Sequence, residues 1–329
     1  MIGPFARWRR ALYRSGILRS EALPRPVISV GNLTVGGSGK TPHVKFLASW
    51  MKNTGMRVAV LSRGYGRETK RVVWVSYGDG PAVPASAGGD EPVLLAASLP
   101  GVPVLVGESR AEAGREALRR REIDAFLLDD GFQHLSLRRD ADLLLLDAGR
   151  GLCNRRTLPL GPLREPPDCA RFADALVVTR CADEARCEDL AGSVSFPPDR
   201  PRACSRLVPR TLVDRDGGES PLPSPGEEVA AFSGLARNEQ FAATLREAGF
   251  VVRRFLAFRD HHPYGPGDIE KIASAAEGMP VVTTEKDLVR LTGALPFRVL
   301  ALRVEVEFLS GWEGLSRLIL ERIGSFGKK

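Results

Sequence analysis

Short, almost continuously apolar segments alternate with longer amphipathic segments from residue 26 to about residue 180. The apolar segments have strand length and predict strands over residues 27–30, 58–61, 102–106, 125–128, 143–146 and 176–179. The amphipathic segments predict helices over residues 42–53, 91–98, 109–121 and near 181–190. Buried strands separated by helices are typical of a parallel sheet covered on both faces. We therefore predict an α/β/α domain for the first half of the chain.

The alternation is interrupted between residues 196 and 227, where proline, arginine, glycine and serine predominate and only 203–213 reads as extended. A second α/β pattern follows, with predicted strands over 229–232, 251–258, 281–284 and 299–306 and helices over 239–248 and 267–276. Residues 311–323 carry one apolar helical face. We predict a larger domain over 26–200, a hinge over 201–228, a smaller α/β domain over 229–310 and a docking helix over 311–329. A ligand would then bind in the cleft between the two domains.

A glycine-rich segment follows the first predicted strand and precedes the first predicted helix of the larger domain. Strand, glycine-rich turn, Lys-Thr and helix is the arrangement that binds nucleotide triphosphates, because backbone N–H groups and a helix N-terminus then surround the phosphates. The pattern G-x-x-x-x-G-K-[ST] has Thr34 at its first glycine position, so a turn that binds nothing is the alternative. The predicted nucleotide ligands are Thr34, Val35, Gly36, Gly37, Ser38, Gly39, Lys40 and Thr41.

Acidic residues stand at the ends of predicted elements in the same domain. Asp129 and Asp130 end a buried strand, where an acid beside a phosphate loop can bind Mg²⁺ together with the hydroxyl of Thr41. Asp90 stands at a helix start, and it is either a simple complement to the helix dipole or a base for phosphoryl transfer to a hydroxyl.

Two further segments carry candidate residues. Arg164 and Glu165 lie in the proline-rich stretch 158–167, and they would form either a phosphate-stabilising pair or a surface ion pair of little energetic value. His261 follows a strand of the second domain, where α/β proteins commonly bind ligands.

The charge of the chain is concentrated at one end. Of the net charge of +7, residues 1–25 contribute +5, from six arginines and one glutamate, which argues against a nucleic-acid-binding body. In this segment Phe5, Trp8 and Leu12 share one helical face, while Arg7, Arg10 and Arg14 share the opposite face. That pattern predicts a helix for docking at an anionic membrane surface, and packing on its own domain is the alternative.

The five cysteines form no C-x-x-C pair, and their number is odd. Free thiols in a reducing compartment are the expected state of such a set, and a structural zinc site is not expected.

Taken together, the motifs resemble those of the tetraacyldisaccharide 4′-kinases, the lipid A 4′-kinases of Gram-negative bacteria. The matching segments are 30–42, 62–66, 89–92, 129–134, 158–159, 161–166, 260–261 and 284–287, in family order along nearly the whole chain. The resemblance implies a P-loop enzyme that moves the γ-phosphate of ATP to the 4′-hydroxyl of a tetraacyl glucosamine disaccharide 1-phosphate. It further implies peripheral attachment to the cytoplasmic face of the inner membrane, with the acylated lipid as substrate and no obligate protein partner.

The resemblance also implies roles for individual residues. Asp90, acting with His261 through water, would assist deprotonation of the acceptor. The residues that would serve the phosphates and Mg²⁺ are Lys40, Thr41, Asp129, Asp130, Arg164 and Glu165.

An alternative from another class is a deviant P-loop ATPase that acts as a switch or metallochaperone. Such ATPases carry a lysine before the paired glycines, where this chain has Val35, and the chain has no Cys or His metal-delivery motif. A membrane-recruited nucleotide-binding scaffold is a third possibility, which leaves Asp90 and His261 without a role.

Overall fold

One sheet runs through the whole protein, as described by a computed structural model of residues 2–326. Its strands are β1 (Val27–Asn32), β2 (Val58–Ser62), β3 (Val73–Ser76), β4 (Val104–Val106), β5 (Ala125–Asp129), β6 (Ala141–Asp147), β7 (Ala175–Thr179), β8 (Arg202–Val213), β9 (Glu219–Pro221), β10 (Glu228–Ser233), β11 (Val251–Ala257), β12 (Val281–Thr284) and β13 (Val299–Ser310). The spatial order is β11-β10-β12-β13-β8-β7-β6-β1-β5-β2-β4-β3, with β9 paired to β8.

Helices cover both faces of this sheet. They are α1 (Ile2–Arg14), α2 (Lys40–Asn53), α3 (Ala85–Gly88), α4 (Asp90–Ser98), α5 (Arg110–Arg120), α6 (Glu184–Gly192), α7 (Asn238–Glu247), α8 (Pro266–Ala276), α9 (Glu285–Leu288) and α10 (Trp312–Gly324), with a 3₁₀ turn over Pro167–Phe172. Strands β1, β2, β5, β6 and β7 are buried along their full length, because helices pack on each side of them. The predicted α/β/α layering of the first half is confirmed.

The segment expected to be a hinge is instead part of the sheet. Within 201–228 lie β9 and all of β8, and β8 pairs in parallel with β7 and antiparallel with β13. The contact with β7 uses the first three residues of β8, while β12 pairs with the first four residues of β13. Because β8 and β13 run in opposite directions, the two halves of the protein attach to opposite ends of this two-stranded ribbon.

The C-terminal helix docks onto the first half. Trp312 packs edge-on against Trp50 and Phe46 of α2, with both ring-centroid separations at 5.0 Å. Leu315 and Ile319 of α10 are buried in the same cluster as the inner face of α2. The described part of the predicted docking helix therefore packs as expected, and residues 327–329 of that prediction lie outside the described residues.

The N-terminal helix packs on its own domain through Gly3, Ala6 and Arg10, whereas Arg7 and Arg14 are exposed. Arg10 is buried, with 4% exposure, and its guanidinium donates two hydrogen bonds to Glu165 and lies over the ring of Phe132. Phe5 and Trp8 are instead 58% and 59% exposed. The sequence pattern placed Arg10 on one basic face with Arg7 and Arg14. Arg10 is instead buried against Glu165, which fits the alternative that this helix packs on its own domain.

Within residues 2–326, no helix is both long enough and apolar enough to cross a bilayer.

The cysteines are not all isolated. Cys181, Cys187 and Cys204 form one buried cluster, whereas Cys153 is exposed and Cys169 is buried as separate thiols. The sequence predicted free thiols and did not indicate that the fold brings three of the five cysteines together.

Candidate active site

The glycine-rich segment forms a turn between β1 and α2, as its sequence predicts. Gly36 and Gly39 have φ angles of +91° and +80°, a backbone region that glycine enters at little cost. Side chains beneath the turn bind its carbonyl groups: Arg180 donates to Gly37 O at 2.8 Å and Thr179 to Ser38 O at 3.1 Å. The backbone N–H groups of residues 36–39 donate no hydrogen bond within the described chain. The turn therefore offers free donors, as an anion site requires.

His43 completes the support of this turn from the first turns of α2. Its Nδ1 is 2.8 Å from Gly39 O and its Nε2 is 2.9 Å from Ser205 Oγ. A carbonyl oxygen only accepts, so Nδ1 carries the proton and Nε2 accepts from Ser205. Burial lowers the pKa of His43 to about 4, so the imidazole stays neutral beneath the turn.

A prediction about acid stability follows from this buried histidine. The folded-state pKa of His43 lies below its ordinary value of 6.5, so its effect on stability is absent above pH 6.5. Between pH 6.5 and about 4, His43 gains a proton in the unfolded chain but not in the folded chain. The free energy of unfolding should therefore fall by up to roughly 3 kcal/mol across this range. Urea unfolding across that range should show that the free energy of unfolding changes less with pH in His43→Gln than in the unmodified chain. If the free energy of unfolding depends on pH in the same way in both proteins, the assignment of His43 as a buried, neutral imidazole is wrong.

Lys40, the first residue of α2, faces the acids at the end of β5. Its Nζ lies 3.7 Å from Asp130 Oδ1 and 3.4 Å from Asn32 Oδ1. Arg164 donates to the other Asp130 oxygen at 2.6 Å. Asp130 has a φ angle of +54°, a left-handed conformation that is uncommon for a residue with a side chain and typical of functional turns. The structure thus brings the predicted residues Lys40, Asp130 and Arg164 together.

The neighbouring carboxylate of Asp129 is buried, with 1% exposure. Burial and the nearby carboxylates of Glu91 and Asp130 raise the pKa of Asp129 to about 7. Its Oδ2 accepts from Ser62 at 3.1 Å, whereas Oδ1 has no hydrogen-bond partner within residues 2–326. Asp129 and Asp130 each have one buried oxygen that accepts no hydrogen bond within residues 2–326. Two such adjacent carboxylates are a donor set that suits a hard divalent cation such as Mg²⁺.

Asp90 and His261 meet although they come from different halves of the protein. His261 Nδ1 lies 2.8 Å from Asp90 Oδ2, and Arg290 Nε donates to the same oxygen at 2.7 Å. Burial would raise the pKa of Asp90, but the hydrogen bonds and charges of His261 and Arg290 outweigh it and lower that pKa. An ionised carboxylate only accepts, so Nδ1 of His261 carries the proton and Nε2 is left with its lone pair. This is the arrangement of a carboxylate-oriented imidazole base.

This pair lies close to the carboxylates of the first half. Asp90 begins α4, and the preceding Gly89 packs so tightly on the loop after β2 that a side chain there would meet Gly64 Cα at 3.0 Å. Glu91, the next residue, is near enough to affect the pKa of Asp129 and lies 3.6 Å from Lys286 Nζ. Lys286 Nζ is in turn 3.2 Å from His261 Nε2. The imidazole base and the acids beside the phosphate loop therefore belong to one site.

Glu165 does not take the place expected for a magnesium ligand. Its two oxygens accept from Arg10 at 3.2 and 2.7 Å and from Gln133 at 3.2 Å. This buried carboxylate anchors α1 instead.

Two polar residues of the second half form contacts within that half. His262 binds Asp268 at the start of α8, at 3.0 Å, and Asp287 accepts from Tyr264 and from Arg290, both at 2.9 Å.

Sequence reasoning missed two arginines of the site. Arg290 binds Asp90 and holds it next to His261. Arg110, at the start of α5, is buried, its Nε has no hydrogen-bond partner in the described chain, and burial beside Arg63 lowers its pKa to about 10. A cation in the first turn of a helix opposes the helix dipole, and that is the sequence signal that could have marked Arg110.

A phosphate-binding turn, paired acids and an oriented base define a P-loop phosphotransferase, a kinase of the α/β class. The sequence profile described as Tetraacyldisaccharide-1-P 4′-kinase matches residues 1–324. The chain belongs to this family, and the resemblance noted in its motifs is confirmed. It is a lipid A 4′-kinase, and the ATPase-switch alternative is not favoured.

Relatives of known name agree with this assignment. The chain is 44% identical over 316 residues to the tetraacyldisaccharide 4′-kinase of Anaeromyxobacter dehalogenans strain 2CP-C, covering 92% of this chain and 83% of the relative. It is 41% identical over 327 residues to the enzyme of Syntrophus aciditrophicus, covering 93% and 87%. The fold matches LpxK from Aquifex aeolicus in complex with ATP, with a TM-score of 0.81, 38% identity and coverage of 98% and 96%.

Proposed function

We propose that the phosphate loop binds ATP and that the Asp90–His261 pair activates the 4′-hydroxyl of a tetraacyl glucosamine disaccharide 1-phosphate. The observation that carries this proposal is the 2.8 Å hydrogen bond by which Asp90, from the half that contains the phosphate loop, orients His261 from the other half. The complex of the Aquifex relative with ATP supports the choice of nucleotide. The two halves then have separate roles, since one supplies the nucleotide site and the other supplies His261.

The residues around the phosphate loop have different roles in the transfer of the γ-phosphate. Free N–H groups of residues 36–39 receive the phosphates, and Lys40 moves from Asp130 to the β- and γ-phosphates as they enter. Arg164, a planar donor beside Asp130, stabilises charge on the transferred group. Mg²⁺, held by Thr41, Asp129 and Asp130, would neutralise charge on the phosphate oxygens.

The base acts on the acceptor. Nε2 of His261 takes the proton of the 4′-hydroxyl, directly or through a water, as the hydroxyl oxygen forms its bond to the γ-phosphorus and ADP leaves with the electrons of the broken P–O bond. Entry of the acceptor must displace the hydrogen bond from Lys286 Nζ to Nε2. Asp90 stabilises the imidazolium that results, because its carboxylate remains ionised beside Arg290.

The test of this function is a transfer assay. Labelled γ-phosphate of ATP, a tetraacyl disaccharide 1-phosphate in detergent micelles and Mg²⁺ should yield a bis-phosphorylated lipid that carries the label at the 4′-position. ATP hydrolysis without a labelled lipid would contradict the proposed acceptor, and loss of turnover on chelation with EDTA checks the metal.

We also propose that the enzyme meets its substrate at an anionic membrane surface, on the cytoplasmic face of the inner membrane. The supporting feature is an exposed apolar set near the N-terminus, where a soluble surface rarely concentrates such side chains. Its members are Phe5, Trp8, Ile17 and Leu18. Arg10 holds α1 on the protein through Glu165, so the helix can present Phe5 and Trp8 outward. Aromatic side chains of this kind enter the headgroup region of a bilayer.

Trp8→Ser should weaken binding to phosphatidylglycerol-containing vesicles by about tenfold, the loss expected when one large apolar side chain no longer inserts. The loss should persist at high salt, where exposed charges are screened. Vesicle sedimentation measures it, and Leu320→Ser, which removes an exposed apolar residue of α10, is the matched control. Equal sedimentation of Trp8→Ser and the control would contradict the docking proposal. Charge reversal at Arg10 is not a clean test, because it would undock α1.

A further inference from the structure

Three cysteine side chains meet in a place that the kinase reaction does not use. The Sγ atoms of Cys181, Cys187 and Cys204 all lie within 4.8 Å of one another, and all three residues are buried. Cys181 follows β7, Cys187 lies in α6 and Cys204 lies in β8. The cluster therefore joins one helix to two neighbouring strands.

Cys187 is placed to pair with either of the other two cysteines. Its Cα lies 6.1 Å from that of Cys181 and 6.0 Å from that of Cys204, both within the range of disulfide-bonded residues. One sulfur forms only one disulfide, so a bond to either partner leaves the third cysteine as a thiol beside that bond. Such a neighbour can attack Cys187 and take over the bond.

The surroundings favour a disulfide over a metal ion. The three cysteines belong to an apolar cluster that includes Leu146, Val178 and Phe196. A bound metal would need all three cysteines as thiolates at the same time in an apolar interior, which disfavours charge. Oxidation needs only one transient thiolate, and its product, a disulfide, is neutral. Among the described residues, no histidine or carboxylate joins the three sulfurs in this group. Buried disulfides in reducing compartments are commonly transient and redox-sensing.

We propose that Cys181, Cys187 and Cys204 form a redox-sensitive site in which Cys187 is the shared partner. A peroxide oxidises Cys187 to a sulfenic acid and is itself reduced, releasing water. The thiol of Cys181 or Cys204 then forms the S–S bond and releases a second water, so two thiols and one hydrogen peroxide give one disulfide and two waters. In exchange, the remaining cysteine attacks Cys187, and its proton passes to the sulfur that leaves.

The site lies directly beneath the phosphate loop. Arg180, next to Cys181, donates to Gly37 O, and Ser205, next to Cys204, binds His43, which donates to Gly39 O. A disulfide to α6 restrains the strand ends that carry these contacts. Oxidation should therefore raise the KM for ATP by about fivefold, the lower end of typical couplings between sites.

The experiment uses the full chain with Cys153→Ser, which removes the exposed thiol that could cross-link two molecules. Thiols are counted after denaturation, before and after treatment with hydrogen peroxide, and disulfides are mapped by peptide mass spectrometry. The four remaining thiols should fall to two, with Cys187 bonded to Cys181 in some molecules and to Cys204 in others. Adding Cys187→Ser should leave all three remaining thiols intact and the KM for ATP unaffected by peroxide. Cys187→Ala provides the same test if serine is poorly tolerated.

Several results would overturn the proposal. An unchanged thiol count in the parent chain would exclude the redox site, as would a disulfide that joins Cys181 to Cys204 alone. One equivalent of tightly bound zinc or copper, with cluster thiols that resist peroxide, would identify a metal site instead. An oxidised chain with an unchanged KM for ATP would refute the link to the phosphate loop.

Discussion

Lys40→Ala should reduce kinase turnover by at least about 10³-fold, the scale on which removal of a preorganised charge acts in phosphoryl transfer. Lys40 is the cation at the N-terminus of α2 beside the phosphate loop, and within residues 2–326 its charged end contacts Asp130 and Asn32. Without it, the γ-phosphate loses a positive partner as its charge shifts toward ADP. Initial-rate assays with labelled ATP at saturating lipid measure the effect.

A matched control lies on the same helix. Lys52 donates to Pro100 O at the far end of α2, so Lys52→Ala removes a lysine without touching the loop and should keep near-normal turnover. Circular dichroism should show that Lys40→Ala remains folded, since alanine is a good helix former. Substantial turnover by folded Lys40→Ala would refute the phosphate-loop assignment.

Asp90→Ala and His261→Ala should each slow turnover by about 10²–10⁴-fold, the usual contribution of general acid–base catalysis. The two side chains share one hydrogen bond, and Asp90 acts by fixing the imidazole with Nε2 unprotonated. The double variant should therefore be little slower than the slower single variant, because residues that act as a unit are not additive. Single-turnover rates would measure the chemical step apart from product release.

His262→Ala is the control for this pair, because it changes the adjacent residue, which binds Asp268 rather than Asp90. It should leave turnover close to that of the unmodified enzyme. If the losses in Asp90→Ala and His261→Ala multiply in the double variant, the two residues have independent roles and the proposed base is wrong.

The phosphate-binding side of the site could be predicted because it is local in sequence. The turn, Lys40 and the strand-terminal Asp129 and Asp130 are each recognisable from the element that carries them. The Asp90–His261 contact joins positions 171 residues apart, and the spacing of residues within a helix or strand cannot predict such a contact. Only the family resemblance suggested it. Arg290 was missed for the same reason, since its partner lies 200 residues away.

Residues 203–213 and 299–306 were predicted to be extended, but their pairing as the ribbon of β8 and β13 was not. Pro209 interrupts β8, and proline is expected only at strand edges or irregularities. In the structure the pairing with β13 shifts register between Thr211 and Pro209, which accommodates the missing N–H. Arginines on the exposed side of β8 gave the segment the composition of a linker.

The N-terminal helix was misjudged for a related reason. Periodicity identifies the two faces of the helix. It does not show which residues the protein buries, because the partner of Arg10 is Glu165, a buried carboxylate 155 residues away in the sequence. In the structure Glu165 binds both Nε and Nη2 of the Arg10 guanidinium, and Phe5 and Trp8 stay exposed.

The route of the chain through the ribbon makes most of the second half a continuous segment inserted within the first half. The polypeptide leaves the nucleotide-binding half along β8, returns along β13, and ends in α10, which packs on the half where it began. Residues 214–298 are thus an internal insertion, and the ends of that insertion are neighbours, with Val213 opposite Ala301. An insertion with adjacent ends can be exchanged between related enzymes as one cassette. The exchanged segment would contain His261, whereas Asp90 belongs to the half that is kept. Only a segment whose histidine reaches Asp90 would form the Asp90–His261 pair again.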